Sequence, residues 1–244
     1  MESEIGNHRS SKIFRAPLWR GEFGWEVMTW APWWRARSRA GPVAITGFAD
    51  SRALYVDFAR EFHDHGETRR TLDYPKGFDQ YHSDGPGFEH YEYGDPDRAE
   101  PFDVLIHARG IARKRSINYR HWDTMSLCLL SLKCASIGTL QDQLVPGTRD
   151  LRGLPLENLM DLCAAADVTL GCSSGVMHLA AACGGNLVVW GDTKTRYRET
   201  LERRYRETWN PHHVRVAWLD ADDWQPPAHR VVAALEEIAS RTMG

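Results

Sequence analysis

Asp167 to Gly191 reads DVTLGCSSGVMHLAAACGGNLVVWG, and this stretch decides the fold. Asp167 to Leu170 has the composition of a buried strand, Gly171 to Gly175 is a glycine-serine turn, Val176 to Cys183 is a helix of small residues, and Asn186 to Trp190 is a second strand. Strand, turn, helix and strand at this spacing make a βαβ unit with parallel strands. The turn delivers the chain to a helix N-terminus, where unpaired N–H groups and the helix dipole favour an anion. Ser173 or Ser174 can cap the helix and offer a hydroxyl to a phosphate, while Gly171 and Gly175 permit close approach of the backbone to a ligand. A tight βα loop with a serine cap and no ligand satisfies the same pattern.

Working outward, the rest of the chain repeats the alternation. Upstream, Lys12 to Trp19 predicts a strand, Gly21 to Gly24 a turn, and Trp25 to Arg39 a helix with Pro32 near its start. Pro42 to Phe48 predicts a strand, followed by a helix capped by Asp50 or Ser51 and running to His65, with Leu54, Phe58 and Phe62 on one face. Gly66 to Pro101 has little periodicity; Phe88 to Tyr93 is a short strand candidate, and Gly94 to Pro101 has the composition of a linker. Phe102 to His107 is a buried strand, followed by the basic residues Arg109, Arg113, Lys114, Arg115 and Arg120. Further on come a helix from Trp122 to Lys133, strands at Ala135 to Thr139 and Thr148 to Gly153, and a helix from Pro155 to Ala165. Gly191 to Arg206 is polar, Val214 to Leu219 is a strand, and Ala228 to Arg241 is an amphipathic helix.

Composition narrows the function classes. The chain has 244 residues, of which 42% are hydrophobic and 26% charged, enough for a substantial core without covalent staples. No apolar run reaches about 18 residues, which excludes a membrane-spanning helix, and the polar first dozen residues lack a signal-peptide core. The five cysteines form no CxxC pair, so reduced thiols and a cytoplasmic location are expected. A net charge of -3 disfavours a nucleic-acid partner held by bulk charge. No ligand pattern accompanies His212 and His213, and Asp220 to Asp223 reads as a turn before the last helix, so no metal is expected.

Asp150-Leu151-Arg152-Gly153, the helix with Leu156 to Leu162, Ala166-Asp167-Val168, and Gly171 to Ala182 together resemble the C-terminal half of bacterial heptosyltransferases. Ser174, Gly175, Met177, His178 and Ala180 to Ala182 fit that family's pattern, and Ser173 stands where the family has an acidic residue. The resemblance spans residues 102 to 240. It implies a GT-B-like α/β fold: two Rossmann-like halves facing a cleft, with a reduced N-terminal acceptor-side half (residues 1–100) and a C-terminal half (residues 101–244) that binds a nucleotide sugar. The implied activity is inverting, metal-independent transfer of a sugar from a nucleotide-diphosphate sugar to a hydroxyl acceptor, with no cofactor. A nucleotide-sugar hydrolase, a nucleotide glycosidase and a non-catalytic nucleotide-sugar-binding module are the alternatives on the same scaffold.

Candidate site residues follow. Ser173, Ser174, Gly175, Met177 and His178 form the donor-side turn and helix, with His178 in a supporting role. The basic stretch supplies Arg109, Lys114 and Arg115, where cations would neutralise charge growing on a departing diphosphate. It follows a strand C-terminus, where open α/β sheets bind ligands. Asp192 sits in the loop after the strand ending at Trp190, also on the donor side. Glu26 lies six residues before Pro32, the spacing of the family's acidic residue and proline, which implies that it is the general base; Glu22 is the second candidate. Five of the ten tryptophans lie between Trp19 and Trp34. Trp30, Trp33 and Trp34 have the spacing of a buried helix face, and Trp19 and Trp25 are candidates for stacking on an acceptor.

Overall fold

The computed structural model describes residues 13–67, 91–112, 115–192 and 198–240. In chain order the strands are β1 (Phe14–Arg15), β2 (Val43–Gly47), β3 (Ala59–Asp64), β4 (Val104–His107), β5 (Cys134–Ser136), β6 (Arg149–Asp150), β7 (Val168–Cys172), β8 (Asn186–Asp192) and β9 (Val216–Ala221). The helices are α1 (Phe23–Trp25), α2 (Ala31–Ser38), α3 (Trp122–Cys128), α4 (Leu156–Ala165), α5 (Gly175–Ala182), α6 (Arg198–Arg203) and α7 (Ala228–Ser240). A π-helical turn, Glu26–Trp30, joins α1 to α2, and a second, Arg204–Thr208, extends α6.

The strands form two parallel sheets. One has the order β1-β2-β3 and the other β6-β5-β4-β7-β8-β9. The larger sheet is covered on both faces, and its alternation shows how. Leu105 of β4 with Leu187 and Val189 of β8 face one core, which includes Leu159 and Met160 of α4 and Leu179 to Ala182 of α5. Val104 and Ile106, with Val188 and Trp190, face the other, against Met125 of α3 and Val231, Ala234, Leu235 and Ile238 of α7. The α7 residues recur at the spacing of one helical face.

The N-terminal layer shares the first of these cores. Trp19, Val27, Met28, Trp30, Ile45 and Tyr55 belong to the same buried cluster as α4 and α5. The segment before β4 is pinned rather than loose. Tyr93 N–H donates to the Ala182 carbonyl at 3.1 Å, and the nearly buried Arg35 pairs with both oxygens of Asp57 at 2.8 and 2.9 Å and donates to the Tyr93 hydroxyl at 3.0 Å. Burial pushes the Tyr93 phenol up to about 12, so it stays a neutral partner for that cation.

Several sequence expectations need correction. The first strand shrinks to Phe14–Arg15. The helix expected from Asp50 to His65 is instead a 3₁₀ turn, Ala49–Leu54, followed by β3. The period-four recurrence of Leu54, Phe58 and Phe62 suggested a helix, but the open edge of β2 takes Ala59–Asp64 as a parallel partner. Phe62 then stacks on Tyr55 at 5.6 Å instead of lining a helix face. The helix expected from Trp122 to Lys133 ends at Cys128, and the polar stretch after Gly191 contains α6. The Phe88 to Tyr93 strand candidate lies mostly outside the described residues; Tyr91 to Tyr93 carry no regular structure.

The two layers come close together at a pair of glycines. A Cβ on Gly175 would lie 3.0 Å from the Phe23 ring and 3.1 Å from the Gly24 nitrogen, and one on Gly24 would lie 3.1 Å from the His178 ring. Gly175→Ala should therefore wedge α1 from α5 and cost about 1–3 kcal/mol. Urea denaturation would show it as a lowered midpoint at unchanged slope; an unchanged midpoint would mean that the contact has slack.

Candidate functional site

The larger sheet changes direction between β4 and β7: β5 and β6 lie to one side, β8 and β9 to the other. Ligands of open α/β sheets bind beyond the strand C-termini at such a point. A cleft of about 1780 Å³ opens there, lined by His107, Arg109, Ser173 to Val176 and His178 on the sheet side and by Gly21 to Trp25 of the N-terminal turn.

Ser174 is the N-cap of α5. Its backbone is extended, with φ -161° and ψ 171°, and its Oγ accepts the Met177 N–H at 3.4 Å. The same oxygen lies 2.9 Å from His107 Nδ1 at the end of β4. His107 Nε2 is 3.5 Å from Asp142 Oδ2. Asp142 also accepts from the Gly110 N–H at 2.9 Å, the Thr139 N–H at 2.7 Å and the Thr139 hydroxyl at 2.9 Å. Burial works to raise the Asp142 carboxyl, but its attraction to the neighbouring His107 ring and the Gly110 and Thr139 amides outweigh it and hold it well below the usual carboxylate range. Arg109 reaches across to donate to the Ser173 carbonyl at 3.1 Å, which places a guanidinium beside the N-terminus of α5.

Tyr205 closes the back of the turn. Its hydroxyl accepts the Ser174 N–H and donates to Ser173 Oγ, both at 3.2 Å. Its ring stacks on His178 at 4.3 Å and 11°. His178 is buried, and burial followed by the nearby Arg204 charge lowers it to about 3, so the imidazole is neutral. The Arg204 guanidinium lies 4.8 Å from the Trp25 ring and 4.6 Å from Trp209, tying the N-terminal turn to the helix after β8.

The structure brings Arg109, Ser173, Ser174, Gly175, His178, Glu22 and Trp25 onto one cleft. It corrects other candidates. Glu26 is fully buried, and its carboxyl oxygens accept from the Tyr55 hydroxyl at 2.7 Å and the Ser51 hydroxyl at 3.0 Å. It does not line the cleft, because the π-turn carries it inward onto Ser51 and Tyr55 of the segment after β2. Trp19 is also fully buried, stacked on Trp30 at 4.9 Å, so it is core and not an acceptor platform. Met177 packs inward, with its sulfur 3.1 Å from the place a Gly171 Cβ would take. Arg115 is exposed and Asp192 ends β8; neither lines the cleft. Lys114 lies outside the described residues. Sequence reasoning missed His107, Asp142, Arg204, Tyr205 and Trp209. The available signals were His107 as the last residue of a buried strand with Arg109 just beyond it, and Tyr205 and Trp209 one helical turn apart in a stretch read only as polar.

No protein-family model and no curated protein matches the sequence. Solved structures do. The E. coli ADP-heptose lps heptosyltransferase II aligns over 96% of this chain and 100% of its own, at TM-score 0.66 and 15% identity. A glycosyl transferase family 9 structure from Veillonella parvula DSM 2008 aligns over 94% and 97%, at TM-score 0.62 and 10% identity. The dodecameric iron-containing heptosyltransferase TibC, in complex with ADP-D-beta-D-heptose, aligns over 88% of this chain and 62% of its own, at TM-score 0.53 and 17% identity.

Because His178 is held neutral, folding excludes its proton. Its stabilising contribution is complete above its ordinary value of 6.5 and is lost as pH falls towards about 3. Stability of the wild type should therefore decline across that window more steeply than that of His178→Phe, measured by denaturation at a series of pH values. Parallel declines would contradict the buried neutral imidazole. The α/β fold, assembled around parallel strands and a Ser-Gly turn at a helix N-terminus, is the fold of the heptosyltransferase structures.

Proposed function

We propose that the chain is a glycosyltransferase that moves a sugar from a nucleoside-diphosphate donor to a hydroxyl acceptor. The observation that carries this reading is the convergence of Arg109 and the N-terminus of α5 at the ends of β4 and β7, with Glu22 on the turn that forms another wall of the same cleft. The first helical N–H groups and the guanidinium supply fixed positive potential where a diphosphate gains charge as the glycosidic bond breaks. Arg204 adds a second cation to the same wall. These groups can stabilise the leaving group without a metal ion. The basic loop with Lys114 and Arg115 follows β4, and Lys114 is retained as a further donor-side cation.

Glu22, exposed at the cleft, is the candidate base that takes the proton of the acceptor hydroxyl. A base opposite the leaving group leads to inversion at the anomeric carbon. Trp25 offers an aromatic face beside it. The fold neighbours favour an ADP-linked sugar as donor, since two of them are named with ADP-heptose.

Isothermal titration with ADP, UDP, GDP and CDP tests the donor side. ADP should bind the wild type, and Arg109→Ala should weaken it by about 10–100-fold through loss of a charge-assisted contact. Binding of none of the four would contradict the reading. With a working donor and acceptor, Glu22→Gln should lower turnover by about 10²–10⁴ while leaving ADP affinity unchanged, chelator should have no effect, and Glu26→Gln should retain turnover per folded molecule. A larger loss in Glu26→Gln than in Glu22→Gln would reverse the assignment.

A further inference from the structure

The contact between Ser174 and His107 has a consequence for any anion bound at the N-terminus of α5. The Ser174 oxygen already accepts the Met177 N–H, and it lies 2.9 Å from His107 Nδ1. Asp142, fixed by the Gly110 and Thr139 N–H groups, faces the opposite ring nitrogen at 3.5 Å. An ionised carboxylate on that side draws an N–H onto Nε2. In the neutral imidazole Nδ1 is then a lone pair, and it accepts the Ser174 hydroxyl proton. Ser174 consequently turns a lone pair towards the cleft, which an anion would repel. Once Nδ1 carries a proton it donates to Ser174 instead, and the serine hydroxyl is released to donate outwards.

Three features mark the place as one for an anion. The N-terminal amides of α5 open onto the cleft, Arg109 stands beside them, and His178 Nδ1 is buried in the same wall with no hydrogen-bond partner among the described residues. The titratable and charged groups around the His107–Ser174 contact are Asp142 from the loop after β5, Arg109 beyond β4, Cys172 at the end of β7, and Tyr205, which reaches Ser173 and Ser174. Asp142 is the anion that faces the imidazole directly, and the cations opposing it are Arg109 and Arg152, whose guanidinium donates to the Asp142 carbonyl at 2.6 Å.

We propose that His107, backed by Asp142, is a proton-coupled positioning residue that turns the Ser174 hydroxyl outwards when a phosphate oxygen binds at the N-terminus of α5, so that anion binding takes up a proton. This rests on the reading that a diphosphate occupies that site. The proton moves from solvent to His107 Nδ1; no covalent bond to the ligand forms. Affinity should therefore fall as pH rises, by at most about tenfold per pH unit for one linked proton.

Titration calorimetry with ADP, and separately with inorganic pyrophosphate, in buffers of different ionisation enthalpy counts the protons taken up. His107→Asn places an N–H donor where Nδ1 stands and does not titrate, so it reports the phosphate's own proton exchange. The wild type should take up more protons than His107→Asn, and His107→Asn should keep its affinity as pH is raised. Ser174→Ala should lose the extra uptake too, and it serves where His107→Asn fails to fold. Equal proton counts in wild type and variants would overturn the inference while leaving the diphosphate site standing. Pyrophosphate binding with His107-dependent uptake, but no ADP binding, would uphold the relay and defeat the nucleotide reading. No binding of either would overturn both.

Discussion

The architecture depends on how closely the N-terminal layer can approach the first turn of α5. Gly24 and Gly175 carry no side chains, and the ideal Cβ of Gly24 lies 3.4 Å from the Gly175 Cα. That contact seats the α1 turn on the N-terminus of α5, so Glu22 and Trp25 share a cleft with Ser173, Ser174 and Arg109. A Cβ at either glycine would press on this contact and push the α1 turn away from α5. The Arg204 contacts with Trp25 and Trp209 reinforce the same junction at the cleft wall.

Buried polar groups then divide by purpose. Glu26 is satisfied by two hydroxyls away from solvent and anchors the π-turn to the 3₁₀ turn after β2. Arg35 does the same for the segment leading to β4, paired with Asp57 and enclosed by Phe58, Tyr91 and Tyr93. Arg35 is a charge in the interior that persists because it is paired with Asp57 and hydrogen-bonded. Asp142, His107 and Ser174 form a chain of contacts that ends at the cleft, so its state is open to a ligand. The Tyr205 hydroxyl occupies the partner position for Ser173, a neutral pairing where a carboxylate would place negative charge beside an anion.

Much of this was legible in the residues. The stretch from Asp167 to Gly191 carried its βαβ unit because strand composition, turn chemistry and small helix residues agreed with one another. The larger sheet followed for the same reason. The N-terminal layer was less legible. Phe58 and Phe62 satisfy a helical period, yet the demand of β2 for a partner is a tertiary constraint that no local pattern records. That Glu26 is buried off the cleft was not legible, because a spacing in sequence does not tell on which side of a π-turn a side chain emerges. His107 and Asp142 are separated by 35 positions and meet only when β4 and the loop after β5 are in register.

The most direct test of this account is a crystal structure of the protein with an ADP-sugar bound. The account predicts the diphosphate at the N-terminus of α5, within hydrogen-bond reach of the Gly175 and Val176 amides, the Ser174 hydroxyl and Arg109, with the sugar facing Glu22. A diphosphate bound elsewhere in the cleft, or a sugar facing away from Glu22, would contradict it.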